Sequence, residues 1–387
     1  EFKDLLGLQR VHPSAALWTF YHTVDSEVPT PEEAWQMMRQ VDTEIPRLPV
    51  RGPGVPEGLH TLSTTRWMPY SWSINNVVMA EVMHTALGFF RARRPEDAWK
   101  MMKGSLLAAM YMGICPGNVG SMSYLDVYRR ESQRDFADGS GVLARTLVEG
   151  LFGLRPDALA GELELEPGFP GDWNHASLQH PQINLRFQRT GDTDTYTIEP
   201  RFPRPMNLRL RLRAQRDQVA QLTVNGREAP WQVTETSIGT PRIEMTIPAG
   251  AHHAIVVRWA GATPAQTPST ARPGFTQVSQ GQMRWWTFSA PDPVRAPADA
   301  RVIRGPTKGT LEPVDLTALF NDRVTQIFKN EYRSPRSPYV SLAMPKQGIG
   351  AWAGHVNATA EIDDSGLRAA AAKHGERFIL PSGVPFA

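Results

Sequence analysis

Apolar residues recur at helical spacing through roughly the first 155 positions, and then the pattern changes to strand-like alternation. "NNVVMAEVMHTALGFF" places Val77, Val78, Glu81, Val82, His84, Thr85 and Phe89 at helical spacings, with Ser73 available as a cap. "PEDAWKMMKGSLLAAMYMG" predicts a helix opened by Pro95, with Glu96 and Asp97 at its positive end. "GVLARTLVEGLFG" predicts a third helix, stopped by Gly153. From about 156 onward, "GELELEPGF", "INLRFQRTG", "TYTIEP", "NLRLRLRAQ", "QLTVNGREAPWQV", "RIEMTIPAG" and "HAIVVRWAG" alternate polar and apolar positions between Gly, Pro and Asp turns. Asn225-Gly226 is a strong hairpin signal, and this run of short strands predicts a β-sandwich over 156–262.

A repeat organises the helical part. "PEEAWQMMR" from Pro31 matches "PEDAWKMMK" from Pro95, and a His-bearing helical stretch precedes each copy, with His22 in one and His84 in the other. Helix, short turn, Pro-opened helix, long loop is the unit of an α/α toroid, with inner and outer helices alternating around a ring. The long loops, roughly 1–13, 45–73 and 113–138, then open on one face, and the turns 24–30 and 92–94 lie on the other. That assignment sets aside Asp25 and Glu27 and favours "RWMPYSWSINN". His22 and His84 read as core histidines.

Residues 263–274, rich in Pro and Thr, read as a linker, and 275–387 as a second, incomplete, mostly-β accessory domain. The expected fold class is therefore α+β multidomain: a partial toroid over 1–155, a β-sandwich, and a partial β domain. The ends of the chain, "EFKDLLGLQR" and "LPSGVPFA", read as those of an internal piece of a longer protein.

Composition removes several classes. A net charge of +2 is too small to argue for nucleic acid or an anionic membrane, and no apolar run is long enough to span a bilayer. A single cysteine, Cys115, excludes an internal disulfide and any cysteine-rich metal site. The sequence has no phosphate-cradling Gly-rich loop, no HExxH and no GxSxG. No cofactor and no metal is expected.

Aromatics and carboxylates on the open face remain. Sugars are bound by C–H faces stacking on Trp and Tyr, while amides and charged groups take the hydroxyls. Trp67, Tyr70, Trp72, Asn75 and Asn76 supply that mixture, with His60 and Arg130 from neighbouring loops. The same rings can wedge between helices, and the two readings are compatible. Glycoside hydrolysis needs two carboxyl groups, one protonated and one ionised. Asp126, Glu131 and Asp135 stand among Arg129, Arg130 and Arg134, which favour the ionised form, and Glu57 is a candidate for the second carboxyl. Asp138 reads as a helix cap. The alternating arginines of "NLRLRLRAQR" read as the solvated face of a strand, with a polyanion stripe as the less favoured reading.

The stretch "LFGLRPDALAGELELEPGFPGDWNHASLQHP" resembles the end of bacterial (α/α)6-barrel glycoside hydrolases, where a sandwich strand follows the last helix. "VRGPGVPEGLHTLSTTRWMPYSWSINNVVMAEVMHTALGFF", "MGICPGNVGSMSY" and "RDFADGSGVLARTLVEGLFG" are similar to glycoside hydrolase family 142, and "NEYRSPRSPYVSLAMPKQGIGAWAGH" to the accessory domain that follows its barrel. The resemblance implies a periplasmic or extracellular exo-acting enzyme on plant pectic side chains, with β-L-arabinofuranosidase activity, an oligosaccharide or polysaccharide substrate, and part of the active site upstream. Two alternatives stay open. A polysaccharide lyase would use Tyr124, Tyr128, Arg129 and His60 around a uronate, and a non-catalytic carbohydrate-binding protein would bind without turnover.

Overall fold

Pro31 and Pro95 each occupy the first turn of a helix, where a missing N–H costs nothing and the fixed φ suits the helix. The computed structural model describes residues 15–51, 55–66, 77–107, 124–125, 138–265, 274–289, 303–304, 358–362 and 379–380. Helix α1 (Leu17–Asp25) turns tightly into α2 (Pro31–Glu44), and α3 (Met79–Arg91) into α4 (Pro95–Leu106), as the repeat predicts. Thr30 and Glu33 form a reciprocal capping box at α2. At α4 the cap residue is Arg94, whose side chain instead pairs with Asp42 and Asp97. Helix α5 (Asp138–Arg145) widens into a π turn, Thr146–Leu151, closed by Phe152 N–H donating to Leu147 O at 2.8 Å. The predicted third helix therefore forms, and Gly153 follows it with φ +68°.

Helices α1, α3 and α5 lie side by side, α3 touching both of the others, while α2 packs on α1 and α4 on α3. This gives two helical layers, and among the described residues they do not close into a ring. The helical face is completed by β1 (Arg47–Arg51) and β2 (His60–Leu62), an antiparallel pair whose β2 edge lies on α4, and by the short pair β3 (Val77–Val78) and β4 (Tyr124–Leu125). Gly104 is required there, because a Cβ would press into the backbone of His60.

Beyond Gly153 the described elements are all β-strands. One sheet has five strands: β5 (Leu154–Asp157), β6 (Glu162–Leu165), β10 (Asn207–Arg213), β13 (Gln232–Val233) and β14 (Arg242–Ile247), in the order β13-β14-β10-β6-β5. The other is built on β7 (His175–His180), β8 (Ile183–Thr190), β9 (Thr193–Pro200), β11 (Gln218–Val224), β12 (Arg227–Glu228) and β15 (His253–Ala260). Asn225 (φ 51°) and Gly226 (φ 78°) make the expected tight turn between β11 and β12. Leu163, Leu165, Leu208, Leu210, Leu212 and Ile243 of the first sheet face Leu178, Leu185, Phe187, Ile198, Ile255 and Val257 of the second, all buried. Strands β16 (Gly274–Gln280) and β17 (Met283–Ser289) form a hairpin lying on the sandwich. The short β18 (Ile303–Arg304) runs parallel to β1, and β19 (Ala358–Ile362) and β20 (Ile379–Leu380) extend the larger sheet beyond β7.

The arginine row of β10 is not a solvated face. Arg211 is 13% exposed and contacts Glu164, Glu166 and Glu244, while Arg213 reaches Glu96 on α4. The helices cover this side of the sheet, with Arg93–Glu166 at 3.1 Å and Arg155 paired to Glu27. Arg93 holds φ +62°, an unusual conformation for a non-glycine, and its guanidinium also donates to Thr236 O. An aromatic seam beside this layer runs from Trp99 through Trp173 and Phe169 to Phe187 and Phe152, joining the two cores into one.

Candidate functional site

The apolar faces of α1, α3 and α5 are used in packing, and what each leaves over is polar. On α1, Leu17, Phe20, Tyr21 and Val24 are buried, while His22 and Asp25 stand outside them. On α3 nearly every residue is buried except Glu81, His84 and Arg91, which share one side. On α5 and its π turn the corresponding residues are Arg145 and Glu149.

These stripes meet as rungs across the helix grooves. Tyr21 donates its hydroxyl to Glu81 Oε2 at 3.0 Å. One turn further along α1, Asp25 Oδ2 lies 2.9 Å from His84 Nε2. Arg145 closes a fork on the same carboxylate at 2.5 and 2.9 Å and also binds Glu149 at 2.8 and 3.0 Å. Arg91 joins Glu149 at 2.9 Å. The Tyr21 ring stacks on His84 at 4.3 Å, and His22 meets His84 edge-on at 5.2 Å.

Electrostatics separate the roles. Burial would raise the pKa of Asp25, but the hydrogen bonds from His84 and Arg145 and their charges outweigh it and hold Asp25 well below the usual carboxylate range. Burial would lower Arg145, but Glu149 and Asp25 raise it further above its ordinary value. Burial and the neighbouring His84 lower His22, against the pull of Asp25. Asp25 is therefore a fixed anion that orients an imidazole and a guanidinium, and it is unsuited to proton donation. Glu81, in the first turn of α3, receives a neutral phenol.

Of the candidate site residues read from the sequence, Glu57 and His60 are described, Glu57 in the turn before β2 and His60 as its first residue. Glu57 is exposed in a turn. His60 is half-buried, with Nδ1 3.5 Å from Gly58 O. Burial, then the charges of Arg47 and Lys100, push His60 down to about 4. It is neutral at pH 7, and its backbone seats against Gly104. Asp126, Glu131, Asp135, Arg130, Trp67, Tyr70, Trp72, Asn75 and Asn76 lie outside the described residues.

The structure thus gathers two residues that sequence reasoning passed over. The toroid reading sets Asp25 aside with the turn 24–30 and takes Glu81 only as part of a helical period. The available signal was polar residues three apart on otherwise apolar helices: His22 and Asp25, then Glu81 and His84.

The histidines make a pH prediction. His22, His60, His180 and His253 all have lowered pKa values, each chiefly through burial. A group whose folded pKa is depressed contributes stability above its unfolded value, and that stability is lost as pH falls. The thermal midpoint is expected to decline from about pH 6.5 towards pH 4, before carboxylate titration sets in. His60→Gln should flatten this slope, as followed by circular dichroism melts across that range. An unchanged slope would show that His60 is solvated.

Among the described residues no group of three or more His, Cys, Asp or Glu side chains is placed to hold a metal ion, and no helix is long and apolar enough to cross a membrane. No protein-family model matches this chain, and no curated protein matches it significantly.

Proposed function

We propose that this chain belongs to a glycoside hydrolase of the α/α-toroid kind, acting on plant pectic side chains and releasing β-L-arabinofuranose. The observation that carries the reading is the row α1, α3, α5. Three neighbouring helices present one polar, carboxylate-bearing side, α2 and α4 stand behind them, and the last helix runs through Gly153 straight into a β-sandwich. Such a row is what the inner wall of a toroid requires.

In this reading the wall supplies fixed charge. Asp25, Arg145 and Glu149 hold one another, and Glu81 sits in the first turn of α3. The proton-donating and water-activating carboxyls belong among Asp126, Glu131, Asp135, Glu57 and Glu81, and Trp67, Tyr70 and Trp72 form the wall of the sugar subsite.

The test is release of arabinose from pectic oligosaccharides and an aryl β-L-arabinofuranoside by the full-length protein. Asp126→Asn, Glu131→Gln, Asp135→Asn, Glu57→Gln and Glu81→Gln are compared with the parent. At least one is expected to lose about a hundredfold in kcat/KM with its melting temperature kept, the scale of a single general acid or base. No release of sugar by the parent would overturn the reading. A product absorbing in the near ultraviolet would replace it with a lyase.

A further inference from the structure

Between the charged face of the five-stranded sheet and the end of the β16–β17 hairpin lies a cleft of about 590 Å³. That is within the range of small-molecule sites, about 300–1,000 Å³. Its walls are preformed. The hairpin is pinned by Trp286 N–H donating to Ser237 O at 2.7 Å and Gln282 N–H to Asp217 O at 2.8 Å. Gln282 Oε1 in turn accepts from Val219 N–H at 2.7 Å. Gly281 makes the turn at φ +56°, against the Asp217 backbone where a Cβ would not fit.

The lining chemistry is uneven. Arg211 is saturated by three carboxylates. Arg209 touches only Glu244, through its Nε at 3.3 Å, so its two terminal nitrogens have no partner among the described residues. Arg284 is exposed on β17 and makes no side-chain hydrogen bond or ion pair among the described residues. Thr234 also lines the cleft. It is 8% exposed, and its Oγ1 is buried without a partner. A buried hydroxyl left unsatisfied is unfavourable, and this one is sealed beneath the cleft wall. Gln232 and Ser279 add an amide and a second hydroxyl, and none of the lining residues is aromatic. Flat bases and neutral sugars are held largely by stacking, which this cleft cannot offer. Guanidinium groups are suited to paired hydrogen bonds with a carboxylate.

We propose that this cleft is a second, non-catalytic site for an acidic saccharide, whose carboxylate is taken by Arg209 and Arg284 and whose hydroxyls are taken by Gln232 and Ser279. It does not depend on hydrolysis at the helical face.

Isothermal titration of the full chain with trigalacturonic acid, and with its fully methyl-esterified form, tests the proposal. The ester keeps most of the hydroxyls and removes the charge. Trigalacturonic acid is expected to bind, the ester about tenfold more weakly, and Arg284→Gln and Arg209→Gln are each expected to weaken the acid about tenfold with unchanged melting temperature. Arg258→Gln, an exposed arginine on the other sheet, should bind like the parent. Absence of binding, equal binding of acid and ester, or equal weakening by Arg258→Gln would each overturn the site. Aryl-glycoside turnover in the same samples separates the two proposals: the cleft variants should keep it, and its absence from the parent would leave the cleft standing.

Discussion

Glu166→Gln is expected to destabilise the protein by about 3–5 kcal/mol, the cost of leaving buried charges without their partner. Glu166 is the carboxylate on which the two halves of the molecule converge. Its Oε1 lies 3.1 Å from both Arg93 Nε and Arg242 Nε, and Oε2 lies 3.4 Å from Arg211. Burial alone would raise its pKa, but the guanidinium groups of Arg93, Arg242, Arg211 and Arg155 hold it well below the carboxylate range. Arg242 shows the converse: burial pushes it down to about 9 although Glu166 raises it. Glutamine preserves shape and removes the one carboxylate that Arg93 and Arg242 share. The midpoint of thermal unfolding should fall by roughly 10 °C.

The pH dependence has a definite sign. A carboxylate with a lowered folded pKa contributes stability above its unfolded value, near 4.5, and loses it as pH falls. The gap between parent and variant should therefore be full at pH 7 and shrink below about pH 4. A gap under about 1 kcal/mol at pH 7 would mean that water screens the layer as it screens a surface pair.

What could be read in the sequence was local. Pro31 and Pro95 announce helix starts, Asn225-Gly226 a turn, and Gly153 a helix stop, because each acts through its own backbone dihedrals. The long alternating strands were legible for the same reason. Strand β5, four residues with a proline, and β7, "HASLQH", have too little apolar alternation to stand out, and they are strands because β6 and β8 pair with them. The arginine row shows the limit most clearly. Alternation puts Arg209, Arg211 and Arg213 on one face, but their partners Glu244, Glu166 and Glu96 are 35, 45 and 117 residues away. The same holds for the helical face, where Asp25 meets His84 across 59 residues and Arg145 across 120. The cluster on the helical face is built from single polar residues on apolar helices, and no run of charge in the sequence marks it.

Gly153→Ala is expected to be the other costly single change, and it bears on why "LFGL" and "EPGF" occur together. Gly153 ends the last helix at φ +68°, where a Cβ costs about 1–2 kcal/mol. Its carbonyl accepts from Glu166 N–H at 2.9 Å, and a Cβ there would drive into the carbonyl of Glu166 and stand 2.7 Å from Pro167 N. The obstacle is backbone, so relief requires moving the chain, at a further cost of about 1–3 kcal/mol. That movement would pull β5 from β6, paired at Leu154–Leu165, and shift Glu166 among its arginines. Gly168 is bound to the same joint, its N–H donating to Leu151 O at 3.0 Å and its Cα facing Phe90 and Gly150. The glycines allow helix end and strand to touch at backbone distance. Together the terms give a loss of about 2–5 kcal/mol, measurable by chemical denaturation. Gly141→Ala is the control: it lies in α5 with open space around it, and alanine there should stabilise by about 0.5–1 kcal/mol. A loss at Gly153 no larger than the change at Gly141 would show that the joint yields, and that helix and sandwich are not locked through this contact.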